Sequence, residues 1–154
     1  MRLLLSGVVL TLTTISASAD ASIERLKQLS LAMNAMMTET IVREVPEARD
    51  YIPTVKWNDE INKAAGCTLA AYEDRLGKDA VETMLSNMEA LTARDDLNFE
   101  QFGEEAQKIF PIESGVQDAV ESSCGMGKAM TASMMSDPNF PKFSQFMMKA
   151  MSEQ

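Results

Sequence analysis

The sequence predicts an all-α fold: a single domain built as an irregular or antiparallel bundle of five to six helices with one disulfide. Three observations carry this. Apolar residues recur at steps of three and four in segment after segment, which is the period of a helix with one buried face. No long alternating apolar/polar run and no Asn-Gly or Asp-Gly hairpin signal occurs. The links between periodic segments are short, so none divides the chain into two domains, and no internal repeat of fixed period is present.

The first helix is expected from about Ser22 to Glu44. Leu26, Leu29, Met33, Met36 and Thr40 share one face, and Ile23, Met37 and Ile41 widen it. Val45-Pro46 ends it, because a residue before proline is pushed out of the α region. A loop or a single turn between Pro46 and Pro53 follows. A second helix is expected from about Val55 to Leu76, with Ile61, Ala65, Leu69, Tyr72 and Leu76 inward and Gly77 as its C-cap. Asp79 reads as the N-cap of a third helix reaching about Ala93, whose core positions are Val81, Met84, Leu85, Met88 and Leu91.

Asn98 with Gln101 has the spacing of a capping box. It opens a short fourth helix that turns Phe99, Phe102, Ala106, Ile109 and Phe110 inward and stops at Pro111. Ser114 with Gln117 repeats that spacing and opens a fifth helix to about Met135. Asp137-Pro138 and Pro141 mark a break before a last helix, Lys142 to about Met151, which carries Phe143, Phe146, Met147 and Ala150.

The N-terminus reads as a cleavable export signal over residues 1–19, followed by a helical domain over residues 20–154. Arg2 supplies the positive start, Leu3 to Ile15 the apolar stretch, and Ala17-Ser18-Ala19 the small-residue cleavage site. A membrane anchor needs about 20 apolar residues, and this stretch is shorter and ends in small polar ones. Cleavage near Ala19 delivers a soluble periplasmic or secreted protein, with no membrane insertion of the mature chain. Cys67 and Cys124 both lie in that mature part, and two cysteines in an exported chain form one disulfide. They stand 57 positions apart. On the chain-entropy view a loop of that length contributes about 4 kcal/mol. A catalytic redox pair is disfavoured by the absence of C-x-x-C. The chain has no N-x-S/T sequon, which fits a bacterial rather than a eukaryotic exported protein.

Composition excludes several functions. The 154 residues hold 14 Lys+Arg against 23 Asp+Glu, a formal charge of −9. Removing residues 1–19 takes away Arg2 alone among the charges and leaves −10. An acidic chain lacks the cationic face that nucleic acid or anionic lipid requires. With no histidine there is no imidazole ligand, no Ser-His or Cys-His pair and no imidazole pH switch. G-x-S-x-G, the P-loop and G-x-G-x-x-G are all missing. No catalytic residue is assigned, and the chain reads as non-enzymatic.

Thirteen methionines are the main departure from ordinary composition. Met33, Met36 and Met37 form one group, Met84 and Met88 another. Met126, Met130 and Met134 fall at i, i+4 and i+8 with Met135 beside them, and Met147, Met148 and Met151 close the chain. Methionine fills irregular core gaps and makes adaptable binding surfaces. Thioethers also select Cu(I), and Met126, Met130 and Met134 are the candidate ligands for it, though the same positions coincide with the core-facing stripe. Glu89, Asp95, Asp96, Glu100, Glu104 and Glu105 form an acidic group. Their spacing matches neither an EF-hand nor a di-iron bundle, so a solvated face that steers a basic partner is the expectation. Gly125 and Gly127 read as points of close helix packing. Trp57 reads as a core cap or a partner anchor.

These observations converge on an exported helical binding protein of the inhibitor, immunity or adaptor type. Its expected contacts with another protein are Met130, Met134, Phe143, Phe146 and Met147, with no cofactor. The competing expectation is a periplasmic methionine-rich Cu(I)-binding protein.

Overall fold

The computed structural model describes residues 14–109 and 114–152. Residues 1–13, which hold most of the expected export signal, and residues 110–113, with Phe110 and Pro111, lie outside them. The described chain is helical with no strand. Its helices are α1 (Thr14–Glu44), α2 (Asp59–Leu76), α3 (Lys78–Thr92), α4 (Phe99–Ile109), α5 (Ser114–Cys124), α6 (Met126–Met135) and α7 (Phe140–Ser152), with a 3-10 turn at Pro46–Tyr51. Seven α-helices and the 3-10 turn among the described residues replace the expected five to six helices. The added α-helix has a single cause. The expected fifth helix is cut by Gly125, which sits in the left-handed region at φ 65° and ψ 31°, a conformation that costs an L side chain energy.

Helix α1 stops where proline dictates: Val45 adopts φ −129° and ψ 83° before Pro46. Helix α2 starts four residues later than expected. Asn58 caps it, its side chain accepting a hydrogen bond from the Ile61 N–H at 2.9 Å. Residues 52–58 are not helical, although 55–58 were expected to be; they form a strap tied to α6 and to the turn after it. Ser133, buried on α6, accepts from the Lys56 N–H and donates to the Lys56 carbonyl. Asp137 accepts from the Thr54 N–H. No local pattern in residues 52–58 encodes partners so distant in sequence.

Gly77, at φ 86° and ψ 160°, separates α2 from α3 and serves both ends. Asp79 is therefore not the cap of α3; it lies in the first turn, where its charge opposes the positive helix end. The capping box forms as expected, with reciprocal bonds of 2.8 and 3.1 Å between Asn98 and Gln101. Pro141 does not break the chain. It stands in the first turn of α7, where its missing N–H would have had no helical partner.

Two apolar clusters fill the interior. The larger joins Leu26 and Leu29 of α1 to the inward residues of α2 and α3, with Leu97, Ile109, Val120 and Met126. The smaller joins Ile41 and Val42 at the far end of α1 to Ala48 of the 3-10 turn and Phe143 of α7. Helix α1 is the element common to both. Gly66 brings α2 close to α1: a Cβ there would meet the Ile23 side chain at 3.3 Å.

Candidate interaction surface

Helix α7 presents Phe143, Phe146 and Met147 at i, i+3 and i+4, one face of a helix. The structure divides that face by depth. Phe143 is completely buried in the smaller cluster, while Phe146 and Met147 are half-buried against it. Met148 falls off the stripe and is 58% exposed, as is Met135 at the end of α6. Tyr51, the last residue of the 3-10 turn, is partly exposed, and its ring lies 5.8 Å from that of Phe146. The Lys142 ammonium stands 5.3 Å above the Phe146 ring, a favourable placement of a cation over the negative face of an aromatic.

The five expected contact residues are thus not one patch. Phe143 is core, because α7 folds back onto the 3-10 turn and the end of α1. Met130 is half-buried against the larger cluster, and Met134 is half-buried on α6. Phe146 and Met147 lie at a corner whose exposed members, Tyr51 and Met148, were not among the expected residues. The signal for Met135 and Met148 was in the sequence: each stands one position outside its helix's apolar stripe.

Met126, Met130 and Met134 share a face of α6. Met126 is buried in the larger cluster, and Met130 packs against the same cluster. At 1.5 Å rise per residue, the first and third lie about 12 Å apart along the axis. They form a row along the helix, with Met126 and Met130 packed on the larger cluster. Among the described residues, no group of three or more Asp, Glu or Cys is placed to hold a metal.

The disulfide forms between Cys67, on α2, and Cys124, the last residue of α5, with their Cα atoms 5.5 Å apart. It lines an open cleft of about 280 Å³ bordered by Glu60, Lys63, Ser123 and Gly125. Cys67 is exposed and Cys124 half-buried. The Ser123 hydroxyl is 3.7 Å from the Cys124 sulfur. Gly127 does not mark helix–helix packing. Its N–H and that of Lys128 donate to the Glu121 carboxylate, at 3.1 Å each, across the α5–α6 corner.

A second cleft, about 330 Å³, lies between α3 and α4. Its cations are engaged. Arg94 pairs with Asp96, and Lys108 with Glu105. The hydrogen bond from Arg94 holds the Asp96 carboxyl below its ordinary range, and that from Lys108 does the same to Glu105. Glu89 belongs elsewhere: with Glu82 it holds Arg25 of α1 against α3. Glu100 and Glu104 are exposed on α4. Trp57 is half-buried against the larger cluster and its indole N–H donates to Asn62 at 3.3 Å, so it caps the core.

Among the described residues, no helix is long and apolar enough to cross a membrane. Compared with protein-family models, curated proteins and solved structures, the chain matches none.

Proposed function

We propose that this chain is an exported, non-enzymatic binding protein that acts by contact with another protein, of the inhibitor, immunity or adaptor kind. The observation that carries the reading is the corner between the 3-10 turn and α7. There Tyr51 and Met148 stand exposed beside half-buried Phe146 and Met147. Aromatic and methionine side chains are enriched at protein interfaces, and methionine repacks against varied partners. Glu47 and Asp50 are exposed on the turn beside Tyr51. Arg49 on the same turn and Lys142 over the Phe146 ring balance them locally, so it is the chain's overall charge of −9 that favours approach of a basic partner. Export to the periplasm or outside is supported by the apolar N-terminal segment ending at Ala17-Ser18-Ala19 and by the disulfide.

The test places a photo-cross-linking side chain at position 51, 146 or 148 of the exported protein in its own cells, with position 28 on exposed α1 as control. A discrete protein adduct from the corner positions, absent at position 28 and, for positions 51 and 146, lost in Met148→Asp, is the expected result. Adducts from none of the three corner positions, or equal adducts at position 28, overturn the proposal.

A further inference from the structure

We infer that the Cys67–Cys124 disulfide is a thiol-exchange site, opened by a dithiol reductant while the rest of the chain stays folded. This rests on the geometry of the α2–α5–α6 corner and is independent of the partner surface on α7. A disulfide that serves only as a staple is best kept from solvent, since exchange requires an attacking thiolate to reach a sulfur. Here the bond lines an open cleft, and Cys67 is exposed at mid-helix.

Apolar packing between these helices continues beneath the bond. Val120 of α5 and Met126 and Ala129 of α6 are buried, as are Ala64 and Ala65 of α2. Helix α2 packs against both α5 and α6. Helix α6 is held separately by the two hydrogen bonds between Ser133 and Lys56. A Cβ built on Gly125, next to Cys124, meets nothing within 4 Å, so there is open space at the corner where the chain reverses. Cleavage of the S–S bond therefore leaves the apolar contacts and these hydrogen bonds in place.

Both cysteines line the cleft, and the more exposed residue of the two is Cys67. The thiolate of the reductant attacks Cys67 Sγ, forming a mixed disulfide there. The S–S electron pair leaves on Cys124 Sγ; the Ser123 hydroxyl, 3.7 Å away, donates to the Val120 carbonyl at 3.0 Å. The reductant's second thiolate then attacks its own sulfur in the mixed disulfide and releases Cys67 as a thiolate. The reductant departs as a disulfide, and the protein has gained two electrons and, on protonation, two protons.

The experiment uses the full mature chain and dithiothreitol under native conditions, with alkylation and intact mass to count free thiols. The expected rate lies within about tenfold of that for the same chain unfolded in urea, since access is nearly free. The reduced protein keeps its far-UV spectrum and Trp57 fluorescence and melts in one cooperative transition at lower temperature. Oxidised glutathione added to the Cys124→Ala variant forms a mixed disulfide on Cys67, and added to Cys67→Ala it reacts at least tenfold more slowly. Reduction slower than the unfolded control by a thousandfold or more, tracking global unfolding, overturns the inference. So does a reduced chain without a cooperative transition, or faster capture at Cys124.

Discussion

Replacing Phe143 by alanine separates core from contact surface. The side chain is completely buried against Ile41, Val42 and Ala48. Truncating a buried phenylalanine costs about 3–5 kcal/mol through lost transfer energy and the cavity left behind. The neighbouring Met37, Ile52, Phe146 and Met147 are only half-buried. They can move partly into the space, so the expected cost is about 3 kcal/mol, the lower end of that range. A urea slope of about 2 kcal/mol/M is typical at this size. The midpoint should then fall by about 1.5 M, measured by circular dichroism and by Trp57 fluorescence. Phe146→Ala removes a side chain already half in water and should cost about 1 kcal/mol. Met148→Asp, on the exposed side, should fall within about 0.5 kcal/mol of the wild type. A Phe143→Ala midpoint within about 0.3 M of the wild type, or Phe146→Ala the more damaging of the two, would refute the placement of α7 on the 3-10 turn.

The remaining predictions concern links and turns. Gly125→Ala faces no steric contact, so its cost is the left-handed backbone alone, about 1–2 kcal/mol, offset by roughly 0.4–1 kcal/mol of unfolded-state entropy. Gly77→Ala, at φ 86° and ψ 160°, enters a region almost confined to glycine and should cost more, about 2 kcal/mol; thermal melts giving the reverse order would contradict this backbone assignment. Ser133→Ala leaves both polar groups of Lys56 without their partner and should cost about 1–2 kcal/mol, and an unchanged denaturation midpoint would show that the strap is not held there. Hydrogen bonds from the Thr54 and Asn139 N–H groups hold Asp137 below its ordinary value of 3.8. A depressed carboxyl contributes stability that is full above its unfolded pKa and is lost as pH falls through the folded one. Melting temperatures of the wild type should therefore drop on acidification below about pH 4 more steeply than those of Asp137→Asn, and parallel curves would remove Asp137 as a contributor.

Much of the helical plan was legible because its causes are local. Pro46 stops α1 through its effect on Val45, and Asn98 with Gln101 starts α4 with the reciprocal bonds their spacing implies. The inward positions of α3 follow from period alone. What escaped reading depends on information that period does not hold. A glycine in an apolar helical run serves equally as a close-packing point or as a left-handed corner, and only its φ tells Gly125 apart from Gly66. The strap at 52–58 is held by Ser133 and Asp137, about 80 residues away (separations of 77 and 83), and Val55 to Asn58 read as helix in their absence. Phe143, Phe146 and Met147 do share a face. Whether such a face meets the protein's own core or a partner is decided by where the turn at 136–139 sends α7. That direction put Phe143 inside and left Tyr51 and Met148 at the rim.

The two clusters divide the mechanical roles. The larger one is cross-linked, α2 to α5, and draws on every α-helix except α7. The smaller one has no covalent tie and few buried residues, and local stability follows the density of buried apolar contact. The corner carrying Tyr51, Phe146 and Met148 therefore sits on the part of the molecule that yields at least cost. Adaptable methionine side chains on a yielding support suit the proposed contact surface, with ordering entropy as the corresponding penalty on affinity. The disulfide, by contrast, borders the larger cluster from an open cleft, and neither of its cysteines packs in the cluster of Phe143, Ile41 and Val42. Redox state and partner docking can be separated on that ground: reduction changes the α2–α5 corner while the packing that supports α7 stays as it is.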